Sequence, residues 1–297
     1  MRTLRTISEL RAALARPRRE GGRIGLVPTM GAFHGGHLSL IRRARLECDH
    51  VVVSLFVNPA QFNEATDLSA YPRDEDRDAL LAAEERVDFL FAPPVEEIYP
   101  PGFATTVSVG GVTEVLEGAS RGPGHFEGVA TVVTKLLNIV NPDVAYFGQK
   151  DAQQALVIRR LVRDLNLQVQ IETSPTVREP DGLAMSSRNA LLAPDERQRA
   201  TALSRSLRVA AALVAAGETN VGTIVDAARA ELDGAHVLTE YLQIVNPDTL
   251  LPMTTIDGPA LALVAARIGS TRLIDNQPLS TATGAAAHSS AQAAGSI

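Results

Sequence analysis

Short β-rich runs alternate with longer stretches of helical spacing through the first 177 residues, and this alternation constrains the fold more than any other feature. Residues 23–27 (R-I-G-L-V) and 50–57 (H-V-V-V-S-L-F-V) read as strands bounded by turn residues. Between them Leu38, Ile41, Ala44, Arg45 and Cys48 recur at helical spacing. The rhythm continues with a helix over 73–86, a strand over 88–92, a helix over 127–140, a strand over 144–147, a helix over 151–165 and a strand over 169–173. Val129, Val132, Val133, Leu136, Leu137 and Val140 share one face of the 127–140 helix. The strands are apolar on both faces, as strands covered by helices on both sides must be. The expected fold is α/β, a parallel sheet with helices on its faces and ligands beyond the carboxyl ends of its strands.

After residue 177 the rhythm changes. An Ala-rich helical stretch over 194–216 and a helix over 221–232 precede strands near 237–245 and 260–267, which reads as a smaller α+β domain over 178–278. Residues 279–297 have only small side chains and no periodicity, so a disordered tail is expected there. The Arg-rich N-terminus has the composition of a transit peptide. However, Thr6 and Glu9 form a capping box ahead of Leu10, Ala13 and Leu14, the mark of an ordinary helix.

Partners are bounded by charge. The net charge is −6 and no Lys/Arg block follows the first 23 residues, which points away from nucleic-acid polymers and toward nucleotide-sized ligands. No apolar run approaches the roughly 18 residues that span a bilayer, so no membrane partner is expected. The single cysteine, Cys48, cannot form an internal disulfide; a reducing, cytoplasmic setting and a buried inert thiol are expected.

Three polar segments carry candidate chemistry, the first two at strand ends and the third in a loop rich in Pro and Gly. In P-T-M-G-A-F-H-G-G-H (28–37), Gly31, Gly35 and Gly36 permit a sharp strand-to-helix turn, and the helix start favours phosphate. His34 and His37, about one turn apart, can both donate to phosphoryl oxygens at that point. Spacing alone leaves two other readings open: a glycine turn with surface histidines, and a His-pair metal site without a nearby Cys or carboxylate at ligand spacing. In G-Q-K-D-A-Q-Q (148–154), Lys150 adds positive potential, and Asp151 either caps its helix or holds a ribose or Mg²⁺. The run M-S-S-R-N (185–189) puts two hydroxyls and a guanidinium in a loop suited to closing on phosphates.

Taken together, the segments are more specific than any one of them. H-G-G-H resembles the first signature of the nucleotidyltransferase superfamily, and M-S-S-R resembles its second. The ordered set P-T-M-G-A-F-H-G-G-H, F-V-N-P-A-Q-F, F-G-Q-K-D-A-Q-Q and D-G-L-A-M-S-S-R-N resembles the pantothenate synthetase (pantoate–β-alanine ligase) family. R-I-G-S-T-R-L-I-D-N extends the resemblance to about Asn276, with Phe33 standing where leucine is usual.

The resemblance implies a Rossmann-like doubly wound first domain, a smaller C-terminal domain that closes over the site, and a homodimer. It implies condensation of D-pantoate with β-alanine using ATP and Mg²⁺, in the biosynthesis of pantothenate and coenzyme A. Pantoate's carboxylate would attack the α-phosphorus of ATP, and the amine of β-alanine would then displace AMP. By the same resemblance Met30, Gly31, His34 and His37 bind ATP, with His37 as proton donor. Gly148, Lys150, Asp151, Val177, Met185, Ser186, Ser187 and Arg188 also contact the nucleotide. Gln61 and Gln154 hold pantoate, Gln61 lies close to β-alanine, and Val132 and Val133 line a pocket for pantoate's methyl groups as well as the core. His34, His37, Lys150, Ser186, Ser187 and Arg188 are suited to the charge stabilisation the first step needs. Two competing readings remain, an adenylyltransferase of the same superfamily and a silent nucleotide-binding regulator.

Overall fold

A computed structural model describes residues 1–63 and 65–280, without the side chains of residues 65–67 and 123. The chain divides into two compact units at Val177 and Arg178. In chain order the first unit runs β1 (Arg2–Leu4), α1 (Ile7–Arg19), β2 (Ile24–Thr29), α2 (Gly35–Glu47), β3 (His50–Leu55), α3 (Ala65–Ala70), α4 (Glu75–Glu84) and β4 (Phe89–Phe91). It continues with α5 (Val95–Ile98), α6 (Glu117–Arg121), α7 (Pro123–Val140), β5 (Val144–Gly148), α8 (Ala152–Asp164) and β6 (Gln170–Ser174).

The six strands form one sheet in the order β1-β4-β3-β2-β5-β6, and every pairing is parallel. β2 pairs with β3 on one side and β5 on the other, so strand order reverses between β2 and β5. A doubly wound sheet opens its ligand crevice at such a reversal, beyond the carboxyl ends. The segments that follow Thr29 and Gly148 leave the sheet at that point.

The helices form for reasons present in their own sequences. Thr6 Oγ1 accepts from the Glu9 N–H at 3.1 Å and Glu9 accepts from the Thr6 N–H at 3.0 Å, which is the expected capping box. Leu10 and Leu14 are fully buried behind it. α2 packs Leu40, Ile41 and Ala44 against Val27, Val51, Val53 and Tyr146 of the sheet. Leu40 thus takes the place expected of Leu38, which is only half-buried. Arg45 leaves the apolar stripe to hold Asp88 at 2.6 Å. The whole expected stripe of α7 is buried, and the helix starts a turn earlier than expected, at Pro123, where a missing N–H costs nothing.

Cys48 is buried with its Sγ 3.3 Å from the Tyr146 hydroxyl, and burial pushes the thiol pKa up. β6 departs from the expectation of strands apolar on both faces: Q-I-E-T-S is an edge strand, and Glu172 reaches Arg43 of α2. At the amino ends of the strands, Asp49, Asp88 and Asp143 accept from the N–H groups of Arg23, Val51 and Ile24 at 2.7–2.8 Å, closing backbone donors the ladder leaves open.

The second unit holds α9 (Pro194–Ala200), α10 (Ala202–Ala215), α11 (Val221–Gly234) and the antiparallel strands β7 (Leu238–Val245), β8 (Ala260–Ile268) and β9 (Thr271–Leu279). The expected Ala-rich helix is interrupted at Thr201, whose hydroxyl donates to Gln198 O. Leu203, Leu207, Ile224, Leu232, Ala262 and Val264 belong to a core of this unit's own. Arg178 grips Asp275 of β9 through both terminal nitrogens, at 2.6 and 3.1 Å. The expected tail is corrected at its start: Leu279 is buried, ends β9 and pairs with Ala260. From residue 281 that expectation lies outside the described residues. No described helix is long and apolar enough to cross a membrane.

Candidate active site

The turn between β2 and α2 presents both histidines. Gly31 has φ +87, and a Cβ there would lie 2.9 Å from Asp78 Oδ2, so both conformation and space require glycine. Ala32 follows at φ +52, an uncommon conformation for a residue with a side chain. The α4 helix holds this strained turn from behind. Asp78 accepts from Ala32 N–H at 2.7 Å and Phe33 N–H at 2.8 Å, while Arg77 donates to Phe33 O at 3.1 Å. Phe33, fully buried, packs its ring against His37 in a tilted arrangement with centroids 5.6 Å apart.

His34 is the N-cap of α2. Its Nδ1 accepts from Gly36 N–H at 3.1 Å, and His37 Nδ1 accepts from His34 N–H at 3.4 Å. Two of the backbone donors expected for phosphate are therefore taken by the imidazoles themselves. With Nδ1 accepting, each neutral ring carries its proton on Nε2, and the pair offers two side-chain N–H donors instead. The rings lie 4.2 Å apart. Burial first, then His34, lowers the His37 pKa from 6.5 to about 3. His37 is thus an uncharged hydrogen-bond donor rather than an imidazolium.

That shift has a stability consequence. The unfolded chain takes up a proton on His37 near pH 6.5, whereas the folded chain does so only near pH 3. Stability contributed by the neutral ring is lost as pH falls through this window and levels out below it. Residual solvent access at the ring reduces the size of the effect. Acidification from about pH 7 to about pH 4.5 should lower Tm by several degrees more in the wild type than in His37→Gln. Equal losses would mean that the folded ring protonates freely.

Lys150 and Asp151, at the end of β5, lie close enough to His37 to act on its charge. Lys150 Nζ is 3.7 Å from Asp151 Oδ1. Asp151 sits at the N-cap of α8 without a side-chain capping bond, so the capping alternative fails and its exposed carboxylate faces outward beside the lysine. Met30 follows β2, Gly148 is the last residue of β5, and Val177 ends the first unit after β6. Of the two glutamines in α8, Gln153 is buried and spent on the loop before α6, bonding Glu117 N, Val112 O and Val115 O at 2.8–3.0 Å. Gln154 is half-buried. Val132 and Val133 are buried on α7.

Gln61 lies in a short 3₁₀ turn, Pro59–Gln61, held by residues outside the expected set. Asn58 Nδ2 donates to Gly128 O at 3.1 Å and Asn58 Oδ1 accepts from Ala60 N–H at 3.3 Å. A backbone carbonyl can only accept and a backbone N–H can only donate, so the Asn58 amide has one orientation. Its second Nδ2 hydrogen then bonds Gln61 Oε1 at 3.0 Å, which fixes the Gln61 amide in turn with its NH₂ as the group to offer. Tyr99 donates to Asn58 Oδ1 at 2.8 Å, and His125 Nδ1 bonds Gln61 O at 2.9 Å. Asn58 stood inside a quoted motif and could have been named. Tyr99, His125 and Asp78 carry no local signal, because their partners are distant in sequence.

Met185, Ser186, Ser187 and Arg188 belong to the second unit. Ser186 Oγ accepts from Arg188 N–H at 3.2 Å and caps a 3₁₀ turn, Ser187–Leu191. Asn189 braces that turn through Glu179 at 2.7 Å and Ala184 O at 3.1 Å. Among the described residues no group of three or more His, Cys, Asp or Glu side chains is placed to hold a metal ion.

The family model described as pantoate-beta-alanine ligase matches residues 2–278. A pantothenate synthetase of a Roseiflexus species is 55% identical over 277 residues, covering 93% of this chain and 98% of the relative. A crystal structure of pantothenate synthetase from Thermus thermophilus is 50% identical, with a TM-score of 0.88, and covers 93% of this chain and 99% of that one. A pantoate-beta-alanine ligase from Francisella tularensis, solved with an ATP compound and β-alanine, is 35% identical with a TM-score of 0.79, covering 93% and 97%.

Proposed function

The chain belongs to the pantoate–β-alanine ligase family and is a ligase of that kind, and we propose that it works through a pantoyl-adenylate held at the sheet's reversal point. Pantoate's carboxylate attacks the α-phosphorus of ATP and pyrophosphate leaves. The amine of β-alanine then attacks the activated acyl carbon, AMP departs, and the amine proton is lost. One observation supports the assignment above the rest: His34, His37, Lys150 and Asp151 converge where β2 and β5 end. The two Nε2–H groups and the Lys150 ammonium are donors for the phosphoryl oxygens, where charge builds in the first step. Met30, Gly31, Gly148, Val177, Met185, Ser186, Ser187 and Arg188 are assigned to the nucleotide by resemblance.

Gln61 offers an amide NH₂ to pantoate or β-alanine without a competing charge, and Gln154 is assigned to pantoate. Magnesium fits as Mg–ATP, since this ion is commonly held by one or two carboxylates plus phosphates. Asp151 is the exposed carboxylate beside Lys150 and is suited to hold it. Mg²⁺ would neutralise phosphate charge there. A homodimer and a cytoplasmic setting belong to the same proposal, and sedimentation reads the first of them.

Pantoate-dependent exchange of labelled pyrophosphate into ATP tests the adenylate reading. A silent nucleotide-binding protein gives none. An adenylyltransferase for a phosphorylated substrate gives none with pantoate.

Gln154→Glu tests the pantoate assignment by charge. The change is nearly isosteric but puts an anion beside the substrate's carboxylate. Two like charges ~4 Å apart repel by roughly 4 kcal/mol at an effective dielectric near 20. Half of that lowers the specificity constant for pantoate by more than about tenfold. The KM for ATP should move far less. An unchanged constant for pantoate would make Gln154 a scaffold residue.

A further inference from the structure

The buried carboxylate of Asp78 has no place in the chemistry above, yet its partners lie one residue from it. Asp78 is 1% exposed on a face of α4 that also buries Ala82. A core position on an amphipathic helix ordinarily carries an apolar side chain, because an ionised carboxylate loses its hydration there. Burial pushes its carboxyl pKa up, and the N–H groups of Phe33 and Ala32 and the nearby Arg77 only partly oppose this. A group held at such cost marks a position where something other than core stability is served.

The geometry names what is served. Both Asp78 oxygens are used, Oδ2 on Ala32 N–H and Oδ1 on Phe33 N–H. Arg77 Nη2 takes the Phe33 carbonyl, so one turn of α4 fixes donor and acceptor sides of the peptides ahead of His34. Those peptides include the left-handed Gly31 and Ala32, a conformation that persists only when its surroundings over-determine it. The Gln61 turn, by contrast, is braced by Asn58, Tyr99 and His125, none of them on α4.

We propose that Asp78, assisted by Arg77, is a positioning residue for adenylation, holding the Gly31–Phe33 turn so that His34 and His37 meet the phosphates. The proposal rests on the adenylate reading given above. Asp78 touches no substrate and acts through the backbone.

Asp78→Asn keeps the shape but turns an NH₂ toward one of two N–H groups, so one bond is lost and the turn relaxes. A displacement of about 1 Å at reacting groups costs on the order of 10²-fold in rate. Pyrophosphate exchange in Asp78→Asn should fall by about 10- to 100-fold. Pantothenate formation from supplied pantoyl-adenylate and β-alanine should stay within about threefold of wild type, because the Gln61 brace is intact. Arg77→Met, a change at a half-exposed side chain, should show the same selectivity at about threefold to tenfold loss, and it decides the matter alone if Asp78→Asn does not fold. Parallel loss in both half-reactions, or exchange left intact in both variants, overturns the proposal. Absence of exchange in the unsubstituted protein overturns the adenylate reading and the proposal with it; that outcome is separable because it appears before any substitution.

Discussion

Alanine at His37 or at Lys150 is expected to lower pantoate-dependent pyrophosphate exchange by about 10²–10³-fold, the usual cost of removing one donor aimed at developing charge. For His37 the lost group is the Nε2–H of a neutral ring, because Nδ1 is engaged by His34 N–H and burial keeps the ring unprotonated. For Lys150 it is an ammonium that lies 3.7 Å from the Asp151 carboxylate. Removing either leaves the Gln61 brace untouched. Supplying pantoyl-adenylate should therefore restore pantothenate formation to within a few-fold of wild type, a selectivity that follows from the phosphates having already departed. Equal loss in both half-reactions would take the two residues out of the adenylation step.

Gly128→Ala is expected to lower the specificity constant for pantoate by about 10²-fold through a single methyl group. A Cβ at Gly128 would lie 2.3 Å from Ala60 O, 2.4 Å from Ala60 C and 2.7 Å from Gln61 N. All three are backbone atoms and cannot swing aside, so either α7 or the Pro59–Gln61 turn must shift. The Gly128 carbonyl is also the acceptor that orients Asn58, which orients Gln61. Overpacking of this kind costs about 1–3 kcal/mol and should lower Tm by several degrees. Kinetics with each substrate varied should place most of the loss on pantoate rather than ATP. A variant with lower Tm but an unchanged constant for pantoate would show that the close approach serves packing only.

The sheet was legible because parallel strands covered on both faces and helices with one buried stripe write periodicities of different length into the chain. The α7 stripe and the Thr6–Glu9 box were each found on their residues. β1 escaped because three residues, R-T-L, carry no period, and it is a strand only through its pairing with β4. β9 escaped despite a Gly-Ser pair that turns Ile268 back onto Thr271; its polar Asp275 and Asn276 obscured the alternation. β6 was expected to be apolar throughout and is not, because an edge strand has one neighbour and solvent beside it.

In the candidate site, the residue types and their order along the chain were present in the sequence. Glycine before a histidine pair, a lysine after a strand and a glutamine after Asn-Pro are local patterns, and local patterns survive in one dimension. What those groups present was decided by contacts between distant segments. Which imidazole nitrogen carries the proton depends on the backbone of α2. Which end of the Gln61 amide is offered depends on a carbonyl 67 residues away, at Gly128, acting through Asn58. The shape of the turn before His34 depends on a carboxylate in α4, and that Asp151 makes no capping bond is visible only once α8 has formed. Hydrogen bonds are directional and short, so their donors and acceptors are assigned only once folding has brought both ends within about 3 Å.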